Sequence, residues 1–421
     1  MLRVGQLTRL SIEKPAAGGR MIARVDGQVV LVAGAIPGER VTARVARVAK
    51  GVVYAETTAV DEPSADRRPA PTDPGCGGCL YACIAYPRQL ALKSLVVADA
   101  FARIGRLPLA APVRVAASRE DGYRMRARLH VRGGRLGFFR EGTHDICDAR
   151  PTRQLLPATC DVLDRVAEGV RALGPDAVRE VELSENVAAS ERVVHLTANA
   201  AAGVTTRALE AVAAAEGLTA APYVTDVLVV GADPPIALRR HVLAFFQGNR
   251  YLLSNLAAHV AGQVPPGSVA IDLYAGAGLF SIAAGTTRRA RVTAVEGDRY
   301  AAADLAVNAA ASGTEVLVMH QSVEAFLGSV PRKVTGLVDA GPATVIVDPP
   351  RTGVSPEALD GVLALRAARI VYVSCDIATL ARDARRLVDA GYALDGVEAF
   401  DLFPNTPHVE TVAVFREAKT R

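Results

Sequence analysis

The sequence contains no run of about eighteen apolar residues, the length that a membrane-spanning helix needs. Residues 1–5 also lack the start of the apolar stretch that a secretory signal peptide carries. We therefore expect no membrane partner and a cytoplasmic location. Hydrophobic residues make up 50% of the 421 residues and charged residues 22%, a composition that excludes a largely disordered chain and suits two or three packed domains.

Cysteine is scarce, since six cysteines in a chain of this length are too few for a disulfide-stabilised scaffold. Without a signal peptide, we expect these thiols to be reduced. Three of them crowd within eight residues and one stands alone near the C-terminus, so the two groups require separate explanations. The six are Cys76, Cys79, Cys83, Cys147, Cys160 and Cys375.

Lysine is also scarce, with five lysines against forty-three arginines, and the formal net charge is only +4. This charge is unevenly placed. Residues 1–60 carry nine basic against four acidic side chains, and residues 101–160 carry twelve against five. A codon bias toward arginine explains the ratio of arginine to lysine but not the clustering. Two basic blocks on a nearly neutral chain therefore favour a nucleic-acid partner.

Alternating apolar and polar residues between Gly, Pro and Asp turn signals predict five short strands in residues 1–60, with a hairpin signal at Asp26-Gly27. Five strands in so short a segment predict a small barrel of the OB type, which is commonly a nucleic-acid module; an inert spacer domain is the alternative. Residues 61–105 comprise a Pro-rich linker, the cysteine segment and a helix over about 87–104.

Residues 106–240 mix strand and helix patterns and predict a central α+β domain that binds RNA. In it, Arg124, Arg126 and Arg128 alternate with apolar residues, so a strand would place all three on one face. Over residues 241–421, short Val- and Ile-rich strands alternate with helical stretches. This rhythm predicts an open α/β fold with a mostly parallel sheet, in which ligands bind beyond the carboxyl ends of the strands.

The first strand of this α/β domain ends in a Gly-x-Gly turn at Gly276 and Gly278, where the backbone can approach a ligand closely. The third glycine of a dinucleotide-binding turn is missing. Asp272 in this strand and Glu296 at the end of the next strand add carboxylates, placed to accept ribose hydroxyls. An acidic lining suits a cationic ligand, so the pattern favours S-adenosylmethionine over NAD. The alternative is that both acids are surface residues.

Two further strand ends lie at the same edge of the predicted sheet. The Asp-Pro-Pro turn at 348–350 is stiff, and Arg351 stands where enzymes that methylate amines carry an aromatic residue. Cys375 follows the next strand, and a helix beginning at about Ile377 would lower the pKa of its thiol. We interpret Cys375 as a nucleophile; the alternative is a buried, unreactive cysteine.

Near the C-terminus, His408 and Glu410 lie two residues apart at the start of a predicted strand, and either would serve as a general base. A thiolate, a base and a bound sulfonium are the groups that methylation of uracil at carbon 5 requires. Carbon 5 is a poor nucleophile until a thiolate adds to carbon 6. A base must then remove the carbon 5 proton so that the thiolate can leave.

Motifs over most of the chain resemble those of the RNA (uracil-5-)-methyltransferases that act on 23S ribosomal RNA or tRNA. Residues 1–58 resemble the TRAM domain, an OB-like RNA-binding module. The other motifs occur in the family's order: Cys-Gly-Gly-Cys at 76–79, Tyr-Arg-Met-Arg-Ala-Arg-Leu at 123–129, Phe-Phe-Gln-Gly-Asn at 245–249, Asp-Leu-Tyr-Ala-Gly-Ala-Gly-Leu-Phe at 272–280, Asp-Pro-Pro-Arg at 348–351, Tyr-Val-Ser-Cys-Asp at 372–376, and Asp-Leu-Phe-Pro-Asn-Thr-Pro-His-Val-Glu at 401–410.

The resemblance implies a Rossmann-like methyltransferase domain that forms 5-methyluridine in structured RNA, 23S ribosomal RNA before tRNA, through a covalent adduct between Cys375 and uracil carbon 6. Glu410 would be the base, with His408 supporting it beside the substrate. The target uridine would be flipped out of the RNA fold. The resemblance also implies contacts to S-adenosylmethionine from Gln247, Tyr274, Glu296 and Asp348, and we expect phosphate contacts from Arg124, Arg126 and Arg128.

Many relatives hold a 4Fe-4S cluster on three clustered cysteines and a distant fourth. Here Ala70 stands where the first cysteine would lie, and Cys83 and Cys147 would substitute. Three alternatives stay open: an iron–sulfur cluster, a zinc ion or no metal. The ligand set in the first case is Cys76, Cys79, Cys83 and Cys147.

Two rival functions also stay open. One is a methyltransferase with another target, such as a base amine or a protein side chain, for which Cys375 would be dispensable. The other is a non-catalytic RNA-binding or assembly factor that retains the fold. For the favoured function, we expect the chain to act on structured RNA as a monomer.

Overall fold

The structure is a computed structural model that describes residues 2–70, 73, 75–174, 176–200, 203–231, 234–329 and 343–418. Among the helices in these ranges, none combines the length and the apolar character needed to span a bilayer. The strands described form four sheets, which largely follow one another along the chain.

The N-terminal sheet forms because its strands bury alternate side chains; Ala23, Val30 and Val41 are fully buried. Asp26 and Gly27 have positive φ angles of 48° and 78°, as the predicted hairpin turn requires. The sheet order is β1-β5-β6-β4-β3-β2. The strands are β1 (Leu7–Ser11), β2 (Lys14–Pro15), β3 (Met21–Val25), β4 (Gln28–Ala33), β5 (Arg40–Ala49) and β6 (Val52–Glu62).

Helix α1 (Tyr86–Arg103) comes next; it has a proline in its first turn and matches the predicted helix within a residue at each end. This helix contributes to two cores, because Leu92 packs into the core of the N-terminal sheet and Phe101 into that of the C-terminal domain. The short strand β7 (Arg114–Ala116) follows.

The central region contains a five-stranded sheet in the order β10-β9-β8-β11-β12 and a separate hairpin, β13-β14. The apolar faces of α2 and α3 pack against the sheet. These elements are β8 (Arg126–Arg132), β9 (Arg135–Phe139), β10 (Ile146–Cys147), α2 (Pro157–Leu173), β11 (Val178–Glu185), β12 (Arg192–Ala198), α3 (Thr206–Ala213), β13 (Tyr223–Leu228) and β14 (Ile236–His241), with a 3-10 turn at Arg150–Thr152.

The C-terminal domain has an eight-stranded sheet in the order β17-β16-β15-β18-β19-β21-β20-β7. Val345 and Ile346 belong to different apolar cores, because successive side chains of a strand point to opposite faces. The elements are α4 (Leu253–Gly262), β15 (Val269–Leu273), α5 (Leu279–Arg288), β16 (Arg291–Glu296), α6 (Arg299–Ser312), β17 (Val316–His320), α7 (Val323–Ser329), β18 (Thr344–Val347), α8 (Pro356–Ala364), β19 (Arg369–Ser374), α9 (Ile377–Asp389), β20 (Tyr392–Phe400) and β21 (Glu410–Glu417).

The five strands from β17 to β19 are parallel, whereas β21 runs antiparallel between β19 and β20. The predicted α/β class with a mostly parallel sheet is therefore confirmed. The strand β7 comes from the region assigned to the central domain but pairs with β20 at the edge of this sheet. Because β21 is antiparallel, its first residue lies at the same edge as the carboxyl ends of the parallel strands.

Candidate active site

A cavity of about 590 Å³ lies at this edge, between the C-terminal sheet and the start of the central sheet. It brings together residues that are far apart in sequence, because four parallel strands end there and β21 begins there. The predicted site residues that line it are Arg124, Arg126, Gln247, Tyr274, Glu296, Asp348, Cys375 and Glu410.

The strand register places the predicted nucleophile beside the predicted base. Ser374, the last residue of β19, pairs with Thr411 of β21. Cys375 follows the first strand and Glu410 precedes Thr411 in the second, so the antiparallel pairing puts the two side chains next to each other at the cavity. Glu410 is buried.

The surroundings of Cys375 oppose ionisation of its thiol. Burial first, and the carboxylates of Glu410 and Asp348 next, raise the pKa of Cys375 to about 11, although the Arg351 guanidinium lowers it by charge and by hydrogen bonding. Helix α9 begins at Ile377 as predicted. The predicted lowering of the thiol pKa by that helix is nevertheless wrong, because burial and the two acids outweigh it.

Arg351 lines the cavity, and its contact there is not evident from the sequence, in which it stands out only as a residue that is not aromatic. Its guanidinium faces the thiol of Cys375 and the carboxyl of Glu410 across the cavity. The sequence does contain one indication of this contact. Arg351 follows a predicted strand that neighbours the strand leading to Cys375.

Carboxyl groups in the cavity hold their protons unusually tightly. Burial first, and repulsion from the neighbouring Asp272 and Glu296 next, raise the pKa of Asp348 to about 7. Gln247 Nε2 donates to Asp348 Oδ2 at 3.3 Å, which partly offsets the rise. Burial and Asp348 raise the pKa of Glu410 well above its ordinary value. Each acid is thus poised to ionise when a cation enters.

The Gly-x-Gly turn fixes Glu296 at the cavity wall. Its Oε2 accepts from Gly276 N at 2.8 Å and its Oε1 from Asp298 N at 2.6 Å. Asp272 lies elsewhere: it is fully buried beneath the turn, where its Oδ2 accepts from Ser281 Oγ at 2.5 Å. Of the two predicted acids, Glu296 faces the cavity and Asp272 supports the turn.

The opposite wall is basic and aromatic. Arg124 donates to Gln154 Oε1 at 2.6 Å and to Arg126 O at 2.8 Å, which fixes its side chain. The Arg126 guanidinium lies 5.9 Å from the ring centre of Phe245, a residue that is 64% exposed at the cavity. In the sequence, Phe245 stands only as part of a motif, which predicts no role for it.

Two predicted substrate residues lie outside the cavity lining. Arg128 is exposed on β8 and its Nε donates to Glu182 Oε1 at 2.5 Å. His408 is exposed just before β21, with its ring 6.1 Å from that of Phe403. The alternation of Arg126 and Arg128 toward one face agrees with the predicted strand. Their contacts to RNA stay predictions.

The four cysteines predicted as metal ligands do not all meet at one site in the structure. Cys76 and Cys147 are joined in a disulfide, contrary to our expectation of reduced thiols. Cys79 packs in the same core, but Cys83 packs against the core of the N-terminal sheet. Within the described ranges, no group of three or more His, Cys, Asp or Glu side chains is arranged to hold a metal. The donor set does not fit an iron–sulfur cluster, and that prediction gains no support.

Comparisons with known proteins agree with this geometry. Residues 218–418 match the family model for tRNA (uracil-5-)-methyltransferase, and residues 2–58 match that of the TRAM domain. The 23S rRNA (uracil(1939)-C(5))-methyltransferase RlmD of Pseudomonas putida is 32% identical, with 98% of this chain and 94% of that protein covered. The corresponding enzyme of Halomonas elongata is 33% identical, with 96% and 88% covered.

A solved structure shares the fold over nearly the whole chain. The tRNA (uracil-54, C5)-methyltransferase of Pyrococcus abyssi, in complex with S-adenosyl-L-homocysteine, superposes with a TM-score of 0.73 at 23% identity, covering 96% of this chain and 99% of that one. The predicted fold, family and enzyme class are confirmed. This chain belongs to the RNA (uracil-5-)-methyltransferase family and carries a TRAM domain at its N-terminus.

Proposed function

We propose that this enzyme forms 5-methyluridine in 23S ribosomal RNA, with S-adenosylmethionine as methyl donor and Cys375 as covalent nucleophile. One observation carries the proposal: a single cavity unites a thiol, a buried carboxyl group and an acidic wall. A thiol and a base are two of the groups that methylation at carbon 5 of uracil requires, and an acidic wall suits the third, a bound sulfonium. We also propose that it works as a cytoplasmic monomer.

The cavity residues fit a cationic donor. The raised pKa of Asp348 reflects its burial first and repulsion from Asp272 and Glu296 second, and a sulfonium would supply the missing counter-charge. The donor would be held by Gln247, Tyr274, Glu296 and Asp348. When bound, S-adenosylmethionine supplies an electrophilic methyl group.

Cys375 would start the reaction. Its thiolate, stabilised by Arg351, adds to carbon 6 of the flipped uracil, and the electron pair of the C5–C6 double bond moves toward carbon 5 and the carbonyl at carbon 4. Carbon 5 thereby becomes nucleophilic and would take the methyl group as its bond to the donor sulfur breaks, with the bonding electron pair left on the sulfur of S-adenosylhomocysteine.

Glu410 would complete the reaction. Its carboxylate removes the proton from carbon 5, the electron pair restores the C5–C6 double bond, and the Cys375 thiolate leaves. A carboxyl group with a raised pKa is a stronger base once ionised, and the cationic Arg351 nearby favours that ionised form.

The names of the relatives that cover most of this chain support 23S ribosomal RNA as the target. The test is to incubate the enzyme with labelled donor and, separately, 23S ribosomal RNA and tRNA from a strain that lacks this gene. We expect labelled 5-methyluridine in the 23S RNA, located by mass spectrometry of nuclease fragments. Label in tRNA alone, or in another nucleoside, contradicts the proposal.

Replacing Cys375 with alanine tests the nucleophile. We expect methylation to fall by about a thousandfold or more while the donor still binds, because only the reacting atom is removed. Cys160→Ala is the control, since Cys160 lies on α2 in the central core. Retention of activity in Cys375→Ala would favour the rival target class.

A further inference from the structure

We infer that Gln89 is a positioning residue for the proton-removal step: from helix α1 it fixes the loop over residues 401–409, here called the base loop, which leads into Glu410. The inference rests on the proposed function. A contact between the N-terminal half of the chain and the active site would thus affect catalysis.

The base loop joins β20 to β21 and contains no helix or strand. Phe403 from this loop lines the cavity together with Glu410. Inside the loop, the main-chain N–H and the side-chain hydroxyl of Thr406 both donate to Phe403 O, at 3.2 and 2.7 Å. These local bonds shape a turn but do not fix where the turn lies.

Gln89 and Asn405 fix that position through reciprocal hydrogen bonds. Gln89 Nε2 donates to Asn405 Oδ1, and Asn405 N donates to Gln89 Oε1, each at 2.9 Å. Gln89 is fully buried, and Asn405 is buried with a positive φ of 64°. Buried amides that are deprived of their partners incur a full desolvation penalty, so the pair holds one geometry strongly.

Other bonds to the base loop come from the same N-terminal side. Lys93 Nζ bonds to Asp401 Oδ1 and to Phe403 O, and the Lys93 and Asp401 side chains have no exposed area. Arg68 donates to Asn405 Oδ1 at 2.9 Å, and Tyr81 N donates to Asn405 O at 2.8 Å. The loop is therefore anchored to residues 68–93 as well as to the sheet that carries Glu410.

This anchoring separates the two chemical steps. Thiolate addition and methyl transfer depend on Cys375 and on the donor residues, which follow other strands. Proton removal depends on Glu410 and on the wall that Phe403 forms beside it. A displacement of about 1 Å can slow a step by about a hundredfold. Loosening the base loop should therefore slow release of the methylated adduct more than its formation.

The test uses Gln89→Leu, which preserves side-chain size and removes the bonds of Gln89 to Asn405 and to the carbonyl oxygens of Tyr81 and Ile84. Reactions with 23S RNA are quenched in denaturant, and the fraction of enzyme bonded to methylated RNA is measured on gels. Glu410→Gln is the benchmark for blocked proton removal. Ser94→Ala is the matched control, because Ser94 lies on the same helix but bonds to Val113 O.

We expect Gln89→Leu to raise the adduct fraction several-fold above wild type, with donor affinity unchanged and Ser94→Ala equal to wild type. An unchanged adduct fraction, or a parallel loss of donor binding and methyl transfer, overturns the inference. If Gln89→Leu does not fold, Asn405→Gly answers the question, because glycine tolerates the positive φ and retains the main-chain bonds. Absence of adduct in Glu410→Gln would instead overturn the covalent mechanism itself.

Discussion

Cys375 is surrounded by groups that keep its thiol protonated in the absence of a bound cation. The acids that raise the pKa of the thiol, Glu410 and Asp348, are the acids that a sulfonium would face. A cation bound beside them would weaken their effect on the sulfur. We therefore expect donor binding to precede and promote thiolate formation.

The pH dependence of donor affinity tests this electrostatic argument. Below pH about 7 the Asp348 carboxyl is protonated in the free protein, and above it the carboxylate attracts the sulfonium. Affinity for S-adenosylmethionine should therefore rise between about pH 6 and pH 8. If binding releases one proton, the rise below the pKa is up to about tenfold for each pH unit.

S-Adenosylhomocysteine is the control ligand in the same calorimetric titration, because it has the same groups except for the charged sulfonium and its methyl. Its affinity should change much less over this pH range. Equal pH dependence for the two ligands would contradict the proposed role of Asp348.

At the scale of elements, local sequence patterns predicted the strands and helices of the C-terminal domain well. The first predicted strand of this domain is β15 (Val269–Leu273), and the predicted helix from Ile377 is α9. Short Val- and Ile-rich runs between Gly, Pro and Asp signals specify such strands locally. The residues at the strand ends could therefore be predicted to share one edge.

Pairings between distant segments could not be predicted in this way. β7 pairs with β20 although the two strands lie far apart in sequence, with Val115 opposite Ala399. The same holds for the bonds of Gln89 to the base loop and for the contact of Arg351 with Cys375. These contacts join distant segments, so the local hydrophobic periodicity of the sequence does not indicate them. The thiol pKa depends on burial, which a sequence pattern does not measure.

The turn at Gly276 and Gly278 gives a prediction at this scale. Gly278 has a φ of +97°, and a Cβ there would lie 2.7 Å from Leu305 Cδ1. Gly278→Ala should reduce the free energy of unfolding by roughly 1–2 kcal/mol or more from backbone strain. It should also weaken donor binding, since the turn carries the N–H that holds Glu296.

Gly313→Ala is the matched control, because Gly313 also has a positive φ but a Cβ there would meet no atom within 4 Å. Thermal melts should show both variants destabilised, and titrations should show weaker donor binding in Gly278→Ala alone. Equal donor affinity in the two variants would mean that the turn does not position Glu296.

At the scale of the whole molecule, we propose that RNA binding and chemistry belong to different parts of one chain. The N-terminal sheet exposes Arg44 and Arg47 on β5, and the Arg47 guanidinium lies 4.0 Å from the ring centre of Tyr54. Arginine and an aromatic ring together suit phosphate and base contacts. Helix α1 then connects this part to the base loop through Gln89.

Reversing the charge of Arg44 and Arg47 to glutamate should therefore weaken RNA binding with little effect on catalysis. We expect KM for 23S RNA to rise by about tenfold or more and kcat to stay near the wild-type value. The plot of log K against log salt concentration should become shallower by about one for each phosphate that the variant no longer binds.

Arg385→Glu is the control, because Arg385 is a surface residue of α9 that pairs with Asp389. Its KM should match that of the wild type. A fall in kcat alone, or equal changes in KM for the two variants, would contradict RNA binding by the N-terminal sheet.

The bond between Cys375 and the pyrimidine ring is tested most directly with RNA that contains 5-fluorouridine at the target. In the proposed mechanism Glu410 removes a proton from carbon 5; it would not remove fluorine in the same way, so the methylated adduct should not break down. After denaturation, nuclease and protease digestion, mass spectrometry should find one peptide, containing Cys375, that carries a methylated fluorouridine nucleotide. No adduct, or an adduct on a peptide without Cys375, would contradict the mechanism.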